Sequence, residues 1–368
     1  MRRTARGLAA SVSLACCAGA ADAGSQQPPA PLEAAAPTTV AVTTTTPAAS
    51  PRPALARLDP GDQIGELLDH AAFAGFARLL LPRTDVPIDR AMRLADFASL
   101  LPYHTQVDAG EVVAGLNRLI DDVADGRRVF IDVYTPAEKA LAPTKVDTGL
   151  FFLRGRPGAP FAVIAPGGGF SYVATVHEGL PFAQAINRHG FNAFVLRYRV
   201  GQGQAAATED LAAALSTIFR NASALQVGIE GHSLWGSSAG ARMAASVGSH
   251  GAARFGGDRL PRPAAVVMAY TGHSETSTSE PPTFVVVGEH DAISPPAVME
   301  RRLRALERAG VPVERRLVPG LGHGFGAGTG TAAQGWIDDA VRFWQRAATP
   351  GRGLGFRRAT AASSPSVR

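Results

Sequence analysis

From Arg127 to Ala347 the chain alternates short, largely apolar runs rich in β-branched and aromatic residues with helical stretches, and no other feature narrows its fold as much. The runs are 129–134, 149–153, 161–165, 193–198, 232–235, 264–269, 283–287 and 313–318, and helical spacing recurs near 178–189, 208–221, 239–249, 297–309 and 334–347. Strands that are apolar on both sides are buried on both faces, which happens when crossover helices cover a parallel sheet. The expected fold class is therefore α/β, a mostly parallel central sheet with helices on both faces. The 40 Gly and 27 Pro in 368 residues exclude a coiled coil or long helical array.

The ends of the chain have a different texture. Residues 1–23 join a basic start (Arg2, Arg3, Arg6) to a short apolar stretch and small residues at cleavage spacing, the pattern of a secretory signal peptide. Residues 24–57 are mostly Ala, Pro, Thr and Ser, too poor in apolar bulk to offset the entropy of ordering, and read as a disordered linker. Residues 348–368 read as a disordered basic tail. The expected folded domain is 58–347, with a helical N-terminal extension over 58–124.

The only cysteines, Cys16 and Cys17, fall in the leader, so cleavage would leave no thiol or disulfide chemistry; acylation of a cysteine there, giving a lipid anchor, is the alternative. Either way the protein is expected to be exported, periplasmic or extracellular, and no run downstream is long enough for a transmembrane helix. The formal charge of +5 suggests nucleic acid at first sight. The excess, however, sits at the termini, on Arg2, Arg3, Arg6, Arg52, Arg57, Arg352, Arg357, Arg358 and Arg368, and the body lacks the concentrated basic face that phosphate binding needs.

Gly236-Ser237-Ser238-Ala239-Gly240 matches G-x-S-x-G, with a strand expected before it and an Ala-rich helix after it. A strand-to-helix turn this sharp strains the central residue, and small residues two positions either side let the chain close. Ser238 would then stand at the carboxyl end of the sheet, with the Ala239 amide free to donate. Gly231-His232-Ser233-Leu234-Trp235 is a near match, but Trp235 could not make the turn. Upstream, Pro166-Gly167-Gly168-Gly169-Phe170 follows a strand, and its amides, with no Cβ in the way, could receive an oxyanion; it has neither the lysine nor the spacing of a phosphate loop. A serine needs a base and the base an orienting carboxylate. Asp291 follows the strand 283–287, and His323 lies in the glycine-rich loop after 313–318, in the order Ser, Asp, His.

Taken with 194–199, 209–215, 288–291 and 322–325, these motifs resemble the α/β-hydrolase superfamily, and within it bacterial acetyl-xylan-esterase-like and carboxylesterase or lipase proteins. The resemblance spans about 127–347. It implies Ser238 as nucleophile, His323 as general base and then acid, Asp291 as its orienter, and the amides of Ala239 with Gly168 or Gly169 as oxyanion hole; no cofactor is expected, and no metal, because the sequence lacks a clustered His/Asp/Glu set. Pro166 replaces the histidine that lipase-type relatives carry before the glycines, which tilts the substrate towards carbohydrate esters, small or polymeric.

Two other readings stay open: a prolyl-oligopeptidase-like peptidase or lipase using the same triad, and a non-enzymatic envelope protein binding glycans on the same fold. His177 and His273 follow strands and could line a cleft, though structural roles are commoner for such residues. His290 is a rival base beside Asp291. Trp336, Phe343 and Trp344 suit helix burial better than sugar stacking.

Overall fold

The computed structural model describes residues 55–349. The expected signal peptide, all but the last three residues of the linker and nearly all of the basic tail lie outside the described residues.

Among the described residues, eight strands form one sheet in the order β1-β2-β4-β3-β5-β6-β7-β8. They are β1 (Phe130–Asp132), β2 (Gly149–Leu153), β3 (Pro160–Ala165), β4 (Asn192–Arg197), β5 (Gly228–Ser237), β6 (Ala265–Ala269), β7 (Thr283–Gly288) and β8 (Val313–Val318). Only β1–β2 and β2–β4 pair antiparallel; from β4 to β8 every pair is parallel. All the residues of β2, β4, β6 and β7 are buried, as strands covered on both faces must be.

The helices are α1 (Ile64–Asp69), α2 (Ala109–Ala124), α3 (Pro136–Leu141), α4 (Leu180–Arg188), α5 (Gly203–Arg220), α6 (Ala222–Leu225), α7 (Ala239–His250), α8 (Pro296–Arg308) and α9 (Trp336–Ala348). They divide by face. Ala162 and Ile164 of β3 join one apolar cluster with residues of α2, α4 and α9, whereas Phe161, Val163 and Ala165 join a second with residues of α5, α7 and α8. The strand period of two thus sorts one sequence into two cores. Trp336, Phe343 and Trp344 are buried in the first.

Two expectations are corrected. The apolar residues of 65–81 recur at helical spacing, which predicts helix there, but the segment is not one helix: α1 ends at Asp69, and two short 3₁₀ turns, Ala71–Phe73 and Ala77–Leu80, follow. His70 caps the first of these turns through Nδ1, and Gly75, at φ 88°, separates the two. The expected strand 232–235 is the middle of a longer one, because β5 starts at Gly228 and shifts register against β3 before Ser233. Residues 58–124, expected as a helical N-terminal extension, contribute to the first apolar cluster. Asp108 caps α2 by accepting the Glu111 amide, and α2 buries Val112, Leu116, Leu119 and Ile120 in the same cluster as α4.

Candidate active site

Ser238 is the residue between β5 and α7, and its backbone sits at φ 48°, ψ −114°, a conformation that costs a non-glycine residue about 1–3 kcal/mol. The surroundings impose it. A Cβ on Gly236 would lie 2.4 Å from the Gly240 carbonyl carbon, and one on Gly240 would lie 1.9 Å from the Ala165 oxygen. Both neighbours must be glycine for β3, β5 and α7 to meet this closely, and the turn then pushes the serine side chain outward.

His323 Nε2 lies 2.9 Å from Ser238 Oγ, and His323 Nδ1 lies 2.8 Å from Asp291 Oδ2. Asp291 is buried, and its other oxygen accepts the amides of Ile293 (3.0 Å) and Ser294 (2.7 Å), which fixes the carboxylate's orientation. A hydroxyl so placed can pass its proton to the imidazole as it attacks an acyl carbon, and the carboxylate can steady the imidazolium that results. Gly168 and Gly169 adopt φ 129° and 62° in the loop after β3; Ala239 opens α7, where an amide has no carbonyl one turn back to pair with. Gly167 tethers this loop to the elbow, since a Cβ there would meet Ser238 Cβ at 3.1 Å.

The structure thus brings Ser238, Asp291, His323 and the glycine loop together, and leaves the other histidines apart. His290 is exposed beside Glu289, 3.9 Å away. His273 is buried in the loop after β6; burial, with Arg302 nearby, lowers its pKa to about 4. His177 is buried and donates from Nε2 to the Gly324 carbonyl (3.1 Å); burial, reinforced by His104, holds its pKa at about 4.

A second group of residues, unseen in the sequence, underlies the loop. Glu178 is fully buried in a π-helical turn, Thr175–Gly179, that leads into α4. Its Oε2 accepts the Gly167 amide and the Ser237 hydroxyl (2.5 Å), and its Oε1 accepts Tyr270 Oη (2.7 Å) and His104 Nε2 (2.9 Å). Burial alone would raise this carboxyl's pKa, but His104 and the hydrogen bonds outweigh it and hold it at about 2. His104 Nδ1 in turn meets Tyr172 Oη at 2.8 Å, and the same hydroxyl accepts the Tyr103 amide (3.0 Å).

The segment 101–107 therefore crosses the active end of the sheet. Thr105 donates through its amide to the Gly324 carbonyl (3.0 Å) and through its hydroxyl to the His323 carbonyl (2.8 Å), and Tyr103 lies over Gly169. Two local hints existed in the sequence, the Glu178-Gly179 step and the tyrosines after the strands, but the partners lie far along the chain. Gly179 itself is obligatory, because a Cβ there would stand 2.2 Å from Val195 Cγ1.

Residues 263–350 match the prolyl oligopeptidase family. The structure of an α/β hydrolase enzyme from a Medee basin deep-sea metagenome library superposes with TM-score 0.50 at 24% identity, over 59% of this chain and 96% of that one. The acetyl ester-xyloside bifunctional hydrolase of Caldicellulosiruptor lactoaceticus gives TM-score 0.51 at 22% identity, over 59% and 95%. No curated protein matches the sequence. The chain has the α/β-hydrolase fold, and Ser238, His323 and Asp291 stand in the hydrogen-bonded order that serine-hydrolase chemistry needs. Among the described residues, no helix is long and apolar enough to cross a membrane.

Proposed function

We propose that this protein is an exported serine esterase that removes short acyl groups, acetyl on polysaccharides first among them, through an acyl-enzyme on Ser238. The observation that carries the reading is the unbroken chain from Ser238 Oγ through His323 to Asp291 beside the glycine loop. Ser238 Oγ attacks the ester carbonyl while His323 Nε2 takes its proton. The carbonyl oxygen, now an anion, is received by the amides of Ala239 and of Gly168 or Gly169. Collapse expels the alcohol, which takes the proton from His323, and a water activated by the same imidazole then releases the acid.

Support for an acetyl substrate comes from Pro166 before the glycines and from the likeness in fold to the acetyl ester-xyloside hydrolase. Support for export comes from the leader-like residues 1–23, and mass spectrometry of the secreted chain's N-terminus tests it. The decisive assay compares p-nitrophenyl acetate with p-nitrophenyl octanoate, using wild type and Ser238→Ala. Acetate turnover that depends on the serine is expected; preference for octanoate would redirect the reading to lipids. The match of 263–350 to the prolyl oligopeptidase family favours a second reading, a peptidase working through the same serine. Serine-dependent cleavage of peptide p-nitroanilides without ester turnover would establish it instead.

A further inference from the structure

The Glu178 carboxylate has no place in the acyl-transfer chemistry, yet no side chain near the site is held by more groups. It is fully buried, so it touches no substrate. Removing a carboxylate from water costs several kcal/mol unless it is paired and hydrogen-bonded. Here the compensating donors come from four separate pieces of chain. Gly167 begins the glycine loop after β3; Ser237 ends β5 and precedes the nucleophile; Tyr270 follows β6, its ring 5.2 Å from that of His323; His104 belongs to the segment crossing the site.

The division of labour between the two oxygens is informative. Oε2 holds the Gly167 amide and the Ser237 hydroxyl together, so one atom joins the peptide before the oxyanion amides to the residue before Ser238. The Gly167 carbonyl, on the peptide that carries the Gly168 amide, accepts the Ala174 amide (3.1 Å), so the peptides on both sides of Gly167 are held. Donors to an oxyanion act only within a few tenths of an ångström of their best distance. The π-helical turn that carries Glu178 is itself a rare form, frequent at functional sites.

We infer that Glu178 is a positioning residue, which sets the spacing between Ser238 and the amides of Gly168 and Gly169 by clamping Gly167 and Ser237 on one carboxylate oxygen. The inference rests on the serine-hydrolase reading of Ser238 and is independent of which acyl compound is the substrate.

Its test is the rate at which a fluorophosphonate labels Ser238 in the full-length protein. Labelling forms an Oγ–P bond, expels fluoride, passes the serine proton to His323 and needs the same oxyanion donors. Glu178→Ala should slow labelling about 100-fold, the scale of a lost oxyanion donor. Glu178→Gln, whose amide oxygen can still accept from Gly167 and Ser237, should recover all but about tenfold of it. Ser237→Ala, which removes one arm of the clamp and leaves the carboxylate in place, should cost about tenfold, the weight of one such hydrogen bond, and serves if Glu178→Ala does not fold.

Asp210→Asn breaks a buried ion pair with Arg199 on the opposite face of the sheet and controls for simple destabilisation; its labelling should match wild type at a temperature where circular dichroism shows every variant folded. Glu178→Ala or Ser237→Ala labelling within about threefold of wild type would overturn the inference, as would Asp210→Asn slowing as much as Glu178→Ala, or a wild type whose Ser238 takes no label. Ester turnover is read separately, so labelling without turnover defeats the esterase reading and leaves this one standing.

Discussion

Two carboxylate–imidazole pairs lie at the same end of the sheet, with nearly the same geometry. Asp291 and His323 meet at 2.8 Å, Glu178 and His104 at 2.9 Å, and all four side chains are almost wholly buried. Their surroundings differ. His323 turns its free nitrogen to a part-exposed serine hydroxyl, whereas His104 turns its own to Tyr172 Oη, so the second pair is closed at both ends. A buried acid and base become reactive or structural according to what the outer nitrogen faces, and the same two residue types can do either.

The pairs should therefore respond oppositely to mutation, and the largest effects belong to the open one. Asp291→Asn leaves the shape of the site but supplies the wrong partner for His323 Nδ1; kcat for p-nitrophenyl acetate should fall about 10⁴-fold, as when the orienting acid of a serine triad is lost. Stability should change little by comparison. A fall below tenfold would show that the two pairs are not functionally distinct and would remove Asp291 from the proposed mechanism.

His104→Ala should reverse that pattern. It strips one donor from a buried carboxylate and one of two partners from Tyr172 Oη, which keeps the Tyr103 amide, at a cost to folding of about 2 kcal/mol. Urea denaturation measures that loss. The remaining three donors still hold Glu178, so kcat should drop by only about tenfold, the value of a hydrogen bond at the low end of its range. Should kcat fall as far as in Asp291→Asn with stability intact, the closed pair would have to be part of the chemistry.

The contrast also bears on what a sequence can reveal. The fold was legible because each strand is a run of apolar residues, and buried parallel strands are made of such runs. Ser238, Asp291 and His323 stand in local signatures, a small-residue elbow and turns at strand ends, and these were visible without any knowledge of what lies opposite. Glu178 has no such signature. His104 lies 74 residues before it and Tyr270 lies 92 after, so the cluster exists only once β3, β5, β6 and the crossing segment are assembled. The break in the helical pattern of 65–81 was hidden for a related reason, because apolar spacing reports which side is buried and says little about whether the turns are continuous.

Acid titration sharpens the comparison further. His177, His232 and His273 are buried with pKa values near 4, below the roughly 6.5 of an unfolded histidine. Between about pH 6.5 and 4 the unfolded chain therefore binds protons that the folded one refuses, and stability falls as pH falls. Glu178, held at about 2 against roughly 4.3 when unfolded, contributes stability that is complete above pH 4.3 and lost towards pH 2. Urea unfolding across pH should show both windows in the wild type. Glu178→Gln should shrink only the lower one, to which Asp85 and Glu138, their pKa values also lowered by hydrogen bonds, still contribute; an unchanged profile in that variant would mean the closed pair contributes nothing to acid stability.

The smallest effect is expected at the rim, where the crossing segment meets solvent. Tyr103 is 45% exposed and stacks on Tyr172, ring centroids 5.6 Å apart and planes 20° from parallel. Its backbone is anchored by the amide bond to Tyr172 Oη, so the ring itself is free of structural duty, and its edge lies against Gly169. An aromatic face at the lip of the glycine loop can pack against the alcohol portion of an ester without touching the acyl group, a contact worth about 1 kcal/mol. Tyr103→Ala should thus raise KM roughly fivefold for acetates of bulky, ring-shaped alcohols, following that energy, while kcat and the turnover of acetates of small alcohols stay unchanged. Equal changes for both kinds of alcohol would mean that the ring shapes the oxyanion loop instead, and would move Tyr103 from the open side of the comparison to the closed one.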